Sequence, residues 1–244
     1  MCLISLAYKT HPRYLLIVAA NRDEFLDRPA EPAHFWEDAP DILAGRDKRA
    51  GGTWLGITRT GRFAAITNYR DMRMSFPPGP SRGILVRQAL EQGIDTSTTG
   101  VYAGFNLLHG TVDALRYHNN IQGIDIALQS GIHGLSNHFL DTPWPKVVKA
   151  KHEMERLLDS PEAEIVNGLF SLLADDGTAP DEALPDTGLP LEMERAASSI
   201  FIRSPGYGTR CSTVVLVDVN GNAYFEERSV TQGSVVEKVR IEMP

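Results

Sequence analysis

Two short apolar runs stand at the start of the chain, residues 2–8 and 14–20, separated by a polar turn that contains Pro12. Neither has the length of a bilayer crossing, and runs of this size bounded by a turn read as strands covered on both faces. The chain is therefore expected to begin inside a sheet, as a hairpin, with the remaining strands supplied from further along.

The spacing predicts those strands. Trp54-Leu55-Gly56-Ile57-Thr58 and residues 62–68 form a second hairpin about Thr60-Gly61, and strand patterns recur over 102–109, 114–118 and 124–128. Residues 211–219 and 223–228 flank Asn220-Gly221, the strongest hairpin signal in the sequence. Helical spacing follows the Pro77-Pro78-Gly79-Pro80 break, over 81–92 with Ile84, Leu85, Gln88 and Ala89 inward, and returns over 146–158 and 162–173. Residues 175–190, acidic and rich in proline and glycine, read as a surface loop with freedom to move. Strands at both ends with helices between predict an α+β fold of mostly antiparallel sheets, two of them stacked between helical layers.

With 244 residues, 42% of them hydrophobic, the chain can bury one large core, and no shift in composition divides it, so residues 1–244 are expected to form one domain. A net charge of −7 argues against nucleic-acid binding and against a polybasic membrane anchor. No leader or transmembrane segment is read, and two cysteines, Cys2 and Cys211, make no disulfide framework. A cytoplasmic protein is expected, its oligomeric state open. Arginines nevertheless crowd the first third, Arg22, Arg46, Arg49, Arg70 and Arg82 among them, and a few converging on an anionic group would use the guanidinium fork well. No zinc spacing occurs, and Gly51-Gly52 lacks the lysine and serine of a phosphate loop.

Cys2 carries the strongest chemical signal. Removal of Met1, expected before so small a residue, would place a thiol and a free α-amine on one residue. With ordinary values of about 8 for the amine and about 8.5 for the thiol, the amine can draw the thiol proton without a histidine. A retained Met1 would remove that base.

Asn21-Arg22-Asp23-Glu24 directly follows the second apolar run, and Gly51-Gly52-Thr53-Trp54, Thr67-Asn68, Gly134-Leu135-Ser136-Asn137 and Gly208-Thr209-Arg210 follow in order. With Cys2, this set resembles the family named for its Asn-Arg-Asp-Glu motif, the transport and Golgi organisation protein 2 family, from Cys2 to about Arg228. The resemblance implies an N-terminal-nucleophile hydrolase fold, a four-layer αββα sandwich. More distantly, the order of Cys2, Arg22, Asp23, Asn68, Asn137 and Arg210 is similar to that of penicillin V acylases and bile-salt hydrolases, although the arginine-to-aspartate spacing differs. On that resemblance Asp23 would hold the protonated α-amine over the thiol, and Asn68 and Asn137 would supply neutral oxyanion donors. Arg22 and Arg210 would lower the thiol pKa and orient a carboxylate. Glu24 and Cys211 are given no chemical role, and Trp54 is read as either a pocket wall or a core residue.

Three functions are weighed. The first is an N-terminal-cysteine hydrolase that cleaves a linear C–N amide of a small, unidentified substrate and requires no cofactor. The second, implied by the family's link to haem trafficking, is a haem carrier in which a histidine or Cys2 meets iron and arginines meet the propionates. No Cys-x-x-Cys-His motif is present, and His11, His109, His118, His133 and His138 have no diagnostic spacing. The third is a non-catalytic scaffold in membrane-traffic organisation, which the family's name suggests.

Overall fold

The computed structural model describes residues 2–242, so the expectation about Met1 lies outside the described residues. Strand β1 (Cys2–Tyr8) pairs antiparallel with β2 (Tyr14–Phe25) in a register that sets Cys2 opposite Arg22 and Tyr8 opposite Leu16. Alternation along these strands serves two cores at once. Ile4, Leu6, Tyr8, Leu16 and Val18 face the space between the sheets, whereas Leu3, Ala7, Ile17 and Ala19 face a helical layer. Burial on both faces is why these runs are continuously apolar rather than alternating.

The first sheet has the order β10 (Gly131–Leu135), β1, β2, β12 (Tyr207–Asp218), β13 (Asn222–Ser229) and β14 (Gly233–Arg240), with β11 (Arg203–Ser204) paired to β12. The second is a meander in sequence order: β3 (Ala30–Trp36), β4 (Ala39–Asp47), β5 (Leu55–Thr58), β6 (Arg62–Asn68), β7 (Phe105–Thr111), β8 (Ala114–Asn119) and β9 (Ile124–Ala127). All pairings are antiparallel. Helices α2 (Pro145–Leu158) and α3 (Glu162–Leu173) cover the outer face of the first sheet, and α1 (Arg82–Glu91) covers that of the second. The layers therefore run αββα, the α+β sandwich expected from the sequence. No helix of the described residues is long and apolar enough to cross a membrane.

Several details differ from the sequence reading. Strand β2 does not stop at Ala20 but runs through Asn21-Arg22-Asp23-Glu24, which places the motif inside the sheet. Helix α1 buries Leu85, Val86, Ala89 and Leu90, while Ile84 and Gln88 stay half-buried. Its rotation is set where the backbone of Gly52 meets that of Gly83, since a Cβ on Gly52 would lie 2.2 Å from the Gly83 carbonyl carbon. Strands β3, β4, β10 and β14 and the short helix α4 (Leu191–Ala197) were not expected. β3 and β14 lie at sheet edges, where half-exposed faces and Pro32 weaken the strand signal. Within 175–190 the chain forms only a single 3₁₀ turn, Asp181–Ala183, yet Thr187 is buried.

Candidate active site

Pairing between strands builds the centre of the site. Cys2 lies opposite Arg22, and Arg22 lies opposite Cys211 on β12, so the three side chains share the inner face of the first sheet. Arg22 is buried, its guanidinium 4.0 Å from the Trp54 ring centroid. Trp54 in turn occupies the space beside Gly45, where a Cβ would come within 2.2 Å of the indole. Cys211 and its neighbour Glu227 are buried, and burial holds the Cys211 thiol well above the usual range.

Asp23 points to the opposite face. It accepts a hydrogen bond from Thr209 Oγ1 at 2.6 Å, and Tyr207 donates to its backbone carbonyl at 3.0 Å. Burial raises the Asp23 carboxyl above its ordinary pKa. The Cys2 thiol is raised as well, by burial and by the charge of Asp23, against the pull of the Asp23 backbone N–H and of Arg22. A thiol so placed rests protonated and needs a base at the moment of attack. Asn21 has a different task. Its Nδ2 donates to the carbonyls of Leu173 and Ile200 at 2.8 and 2.9 Å, and its Oδ1 accepts from Ser212 Oγ at 2.6 Å, which ties the sheet to the helical layer.

Cys2, Arg22, Asp23 and Asn68 all line one cavity of about 480 Å³. Glu24, on Arg22's face of the strand, also borders it and lies 3.6 Å from Arg28, which is bound to Asp47. Arg22, Arg49 and Arg82 face the same cavity and have no carboxylate partner among the described residues. A second chamber of about 700 Å³ adjoins it, sharing Asn68 and Arg82 and walled by Phe25, Met72, Met74, Phe76, Leu189 and Met193. The Asn68 side-chain amide makes no hydrogen bond to any described residue and is open to both chambers.

Asn137 borders the second chamber, but one N–H of its amide is committed to the Asn68 carbonyl at 2.9 Å. Next to it, Ser136 Oγ donates to the Cys2 carbonyl at 3.0 Å, so this segment fixes the start of β1 against the end of β6. Arg210 lines neither chamber. The register breaks between Thr209 and Cys211, leaving Arg210 as the extra residue of a β-bulge, and its guanidinium donates to the carbonyls of Phe25, Leu26 and Arg28. An expected charge on the nucleophile is thus a clamp on the turn after β2.

Two further buried cations stand out: Arg70, one of the arginines of the first third, and Lys146, which the sequence reading does not single out. Arg70 is buried, stacks 4.7 Å from the Trp144 ring centroid and pairs with Glu194 at 2.9 Å, and Glu194 also accepts the N–H and hydroxyl of Thr187. Lys146, in the first turn of α2, is 3% exposed, its Nζ has no hydrogen-bond partner among the described residues, and burial lowers its pKa to about 8. A signal for Lys146 existed, because it falls on the same helical stripe as Ala150, Met154 and Leu157, where a charge is out of place.

Comparison with known proteins gives a family, its relatives and structural neighbours. The family model described as Transport and Golgi organisation 2 matches residues 1–232. The Transport and Golgi organization protein 2 homolog of Bos taurus is 37% identical over 260 residues, covering 94% of this chain and 93% of its own. The Drosophila melanogaster Transport and Golgi organization protein 2 is 24% identical over 264 residues, covering 95% and 93%. Among solved structures, the Caenorhabditis elegans N-acylethanolamine-hydrolyzing acid amidase ortholog superposes with a TM-score of 0.45 at 8% identity, over 88% of this chain and 92% of its own. The C2A mutant of the conjugated bile acid hydrolase from Clostridium perfringens gives 0.46 at 8% identity, over 98% and 92%.

Proposed function

The chain belongs to the transport and Golgi organisation 2 family, and from that premise we propose that it is a cysteine hydrolase that cleaves a linear C–N amide bond in a small amphipathic anion. The observation that carries this reading is that Cys2, Arg22, Asp23 and Asn68 line one arginine-rich cavity, with Asn68 and Arg82 also bordering the apolar chamber beside it.

Once Met1 is removed, the α-amine of residue 2 takes the thiol proton as Sγ bonds to the carbonyl carbon, and the Asn68 amide donates to the developing oxyanion. The same proton passes to the departing nitrogen as the C–N bond breaks, leaving an acyl thioester on Cys2. Water, deprotonated by the amine, then releases the acid and restores the thiol. Asp23 holds the amine in place. Arg22, Arg49 and Arg82 meet the anionic end of the substrate, and the Met72, Met74 and Met193 wall takes its apolar end.

The test is hydrolysis of a panel of N-acyl amino acids of graded chain length, followed by mass spectrometry. Turnover by the wild type and none by Cys2→Ala is expected, with an intact mass that lacks methionine and a single adduct from a reagent selective for 1,2-aminothiols. Turnover that survives in Cys2→Ala overturns the assignment.

Haem binding is a second reading, favoured by the same adjacency of an apolar wall and arginines that have no carboxylate partner among the described residues, which suits a planar dicarboxylate. No histidine lines either chamber, so Cys2 or a methionine would be the ligand to iron. A Soret shift on titrating micromolar protein with haem, lost in Cys2→Ala, would support it; an unshifted band would remove it.

A further inference from the structure

The geometry points to Lys146 as a positioning residue that offsets the negative charge of Asp23 behind Cys2 and so keeps residue 2 able to exchange a proton at neutral pH. The inference rests on Cys2 being the reactive group proposed above.

Its placement is hard to explain on stability grounds. A cation in the first turn of a helix opposes the helix dipole, and burial of an unpartnered ammonium is costly. Lys146 has both handicaps, being 3% exposed with no hydrogen-bond partner for Nζ among the described residues. Helix α2 packs on β1 and β10, which brings this ammonium to the end of the sheet where Cys2 and Asp23 lie.

The groups facing it come from every neighbouring element. Asp23 on β2, Cys2 on β1 and Glu194 on α4 favour its charge, and Arg70, beyond β6, opposes it. Tyr207 on β12 faces the same set but rests neutral, its hydroxyl pKa pushed far up by burial. Two of the charges, Arg70 and Glu194, already neutralise each other at 2.9 Å. On the helical side of residue 2 this sets Lys146 against Asp23, while Arg22 and Arg82 act on the thiol from the cavity side. An aspartate alone would hold protons on both the thiol and the amine of residue 2, because a negative charge disfavours thiolate and favours ammonium. Lys146 opposes that field from the helical side, as Arg22 does from the cavity. With its pKa near 8 it does so while charged and relaxes as the solution becomes alkaline.

The test needs no substrate. The rate of Cys2 alkylation by iodoacetamide is followed against pH by peptide mass mapping, with buried Cys211 as the internal reference. Lys146→Met is expected to move the midpoint up by about one unit, slowing alkylation about tenfold at pH 7, while Lys146→Arg stays at or below the wild-type midpoint. A folded Lys146→Met with an unmoved profile overturns the inference. Should that variant fail to fold, the wild-type protein decides: NMR of labelled lysine side chains must show one ammonium titrating near pH 8, and titration of every lysine in the ordinary range overturns it. An amidase screen that finds no turnover beside a Lys146-dependent alkylation profile would sink the hydrolase reading and leave this one standing.

Discussion

The two halves of β2 are equally buried and built on opposite principles. From Tyr14 to Ala20 the strand presents apolar side chains to both cores, and each contributes by leaving water, about 1.5–3 kcal/mol for a large one. From Asn21 to Glu24 the same strand carries an amide, a guanidinium and two carboxylates, three of them buried. Each of these must be matched by a partner or accept a shifted pKa. The difference shows where the fold concentrates stability and where it gives stability up to hold reactive groups.

Substitutions along the strand should separate the two principles. The largest effect is expected from Leu16→Ala, which empties a fully buried site between the sheets and should cost about 2–5 kcal/mol by urea unfolding while leaving Cys2 alkylation unchanged. Asn21→Ala comes next. It strands the carbonyls of Leu173 and Ile200 and the hydroxyl of Ser212, and a loss of about 1–3 kcal/mol is expected, again without a change in Cys2 chemistry. If Asn21→Ala abolished alkylation at constant stability, the division of labour within the motif would be wrong.

Asp23→Asn should change stability less, within about 1 kcal/mol at pH 7, because removing a carboxylate from a buried site is offset by the loss of the charge that faces Lys146, while hydrolysis is impaired. The pH dependence follows from linkage. An acid whose folded pKa is raised gives its full stability below the unfolded value near 3.8 and loses it as pH rises to the folded value, so the wild type should decline across that window and the Asn variant should not. Arg49→Ala is the smallest in stability, within about 0.5 kcal/mol since the side chain is exposed, but it should raise KM for anionic substrates. An unchanged KM would remove Arg49 from substrate binding.

The apolar half of this strand, its partner β1 and the hairpins at Thr60-Gly61 and Asn220-Gly221 were legible because hydrophobic pattern and turn chemistry agree there. The edge strands β3 and β14 were not, since one ladder is missing and half-exposed side chains blur the alternation. The site was legible in its local part. Cys2, Asp23 and Asn68 stand at strand ends or within a recognisable motif, and the structure gathers them around one cavity. Arg70 with Glu194, separated by 124 positions, and Lys146 with Asp23 are products of tertiary packing with no sequence proximity to announce them. Arg210 was misplaced for a subtler reason: one surplus residue in β12 leaves no trace in a hydrophobic pattern.

That surplus residue acts as a phase shift between two otherwise regular ladders. Below it Thr209 is in step with Asp23, above it Cys211 is in step with Arg22, and no position is left over if residue 210 is excised. A chain lacking Arg210 should therefore keep both alignments with β2, gain a smoother strand, and lose its grip on the turn that carries Arg28 to the cavity, along with the bond that Val230 N–H donates to the Arg210 carbonyl. Shortening the protein by one residue would in this way loosen the mouth of the cleft without touching its floor.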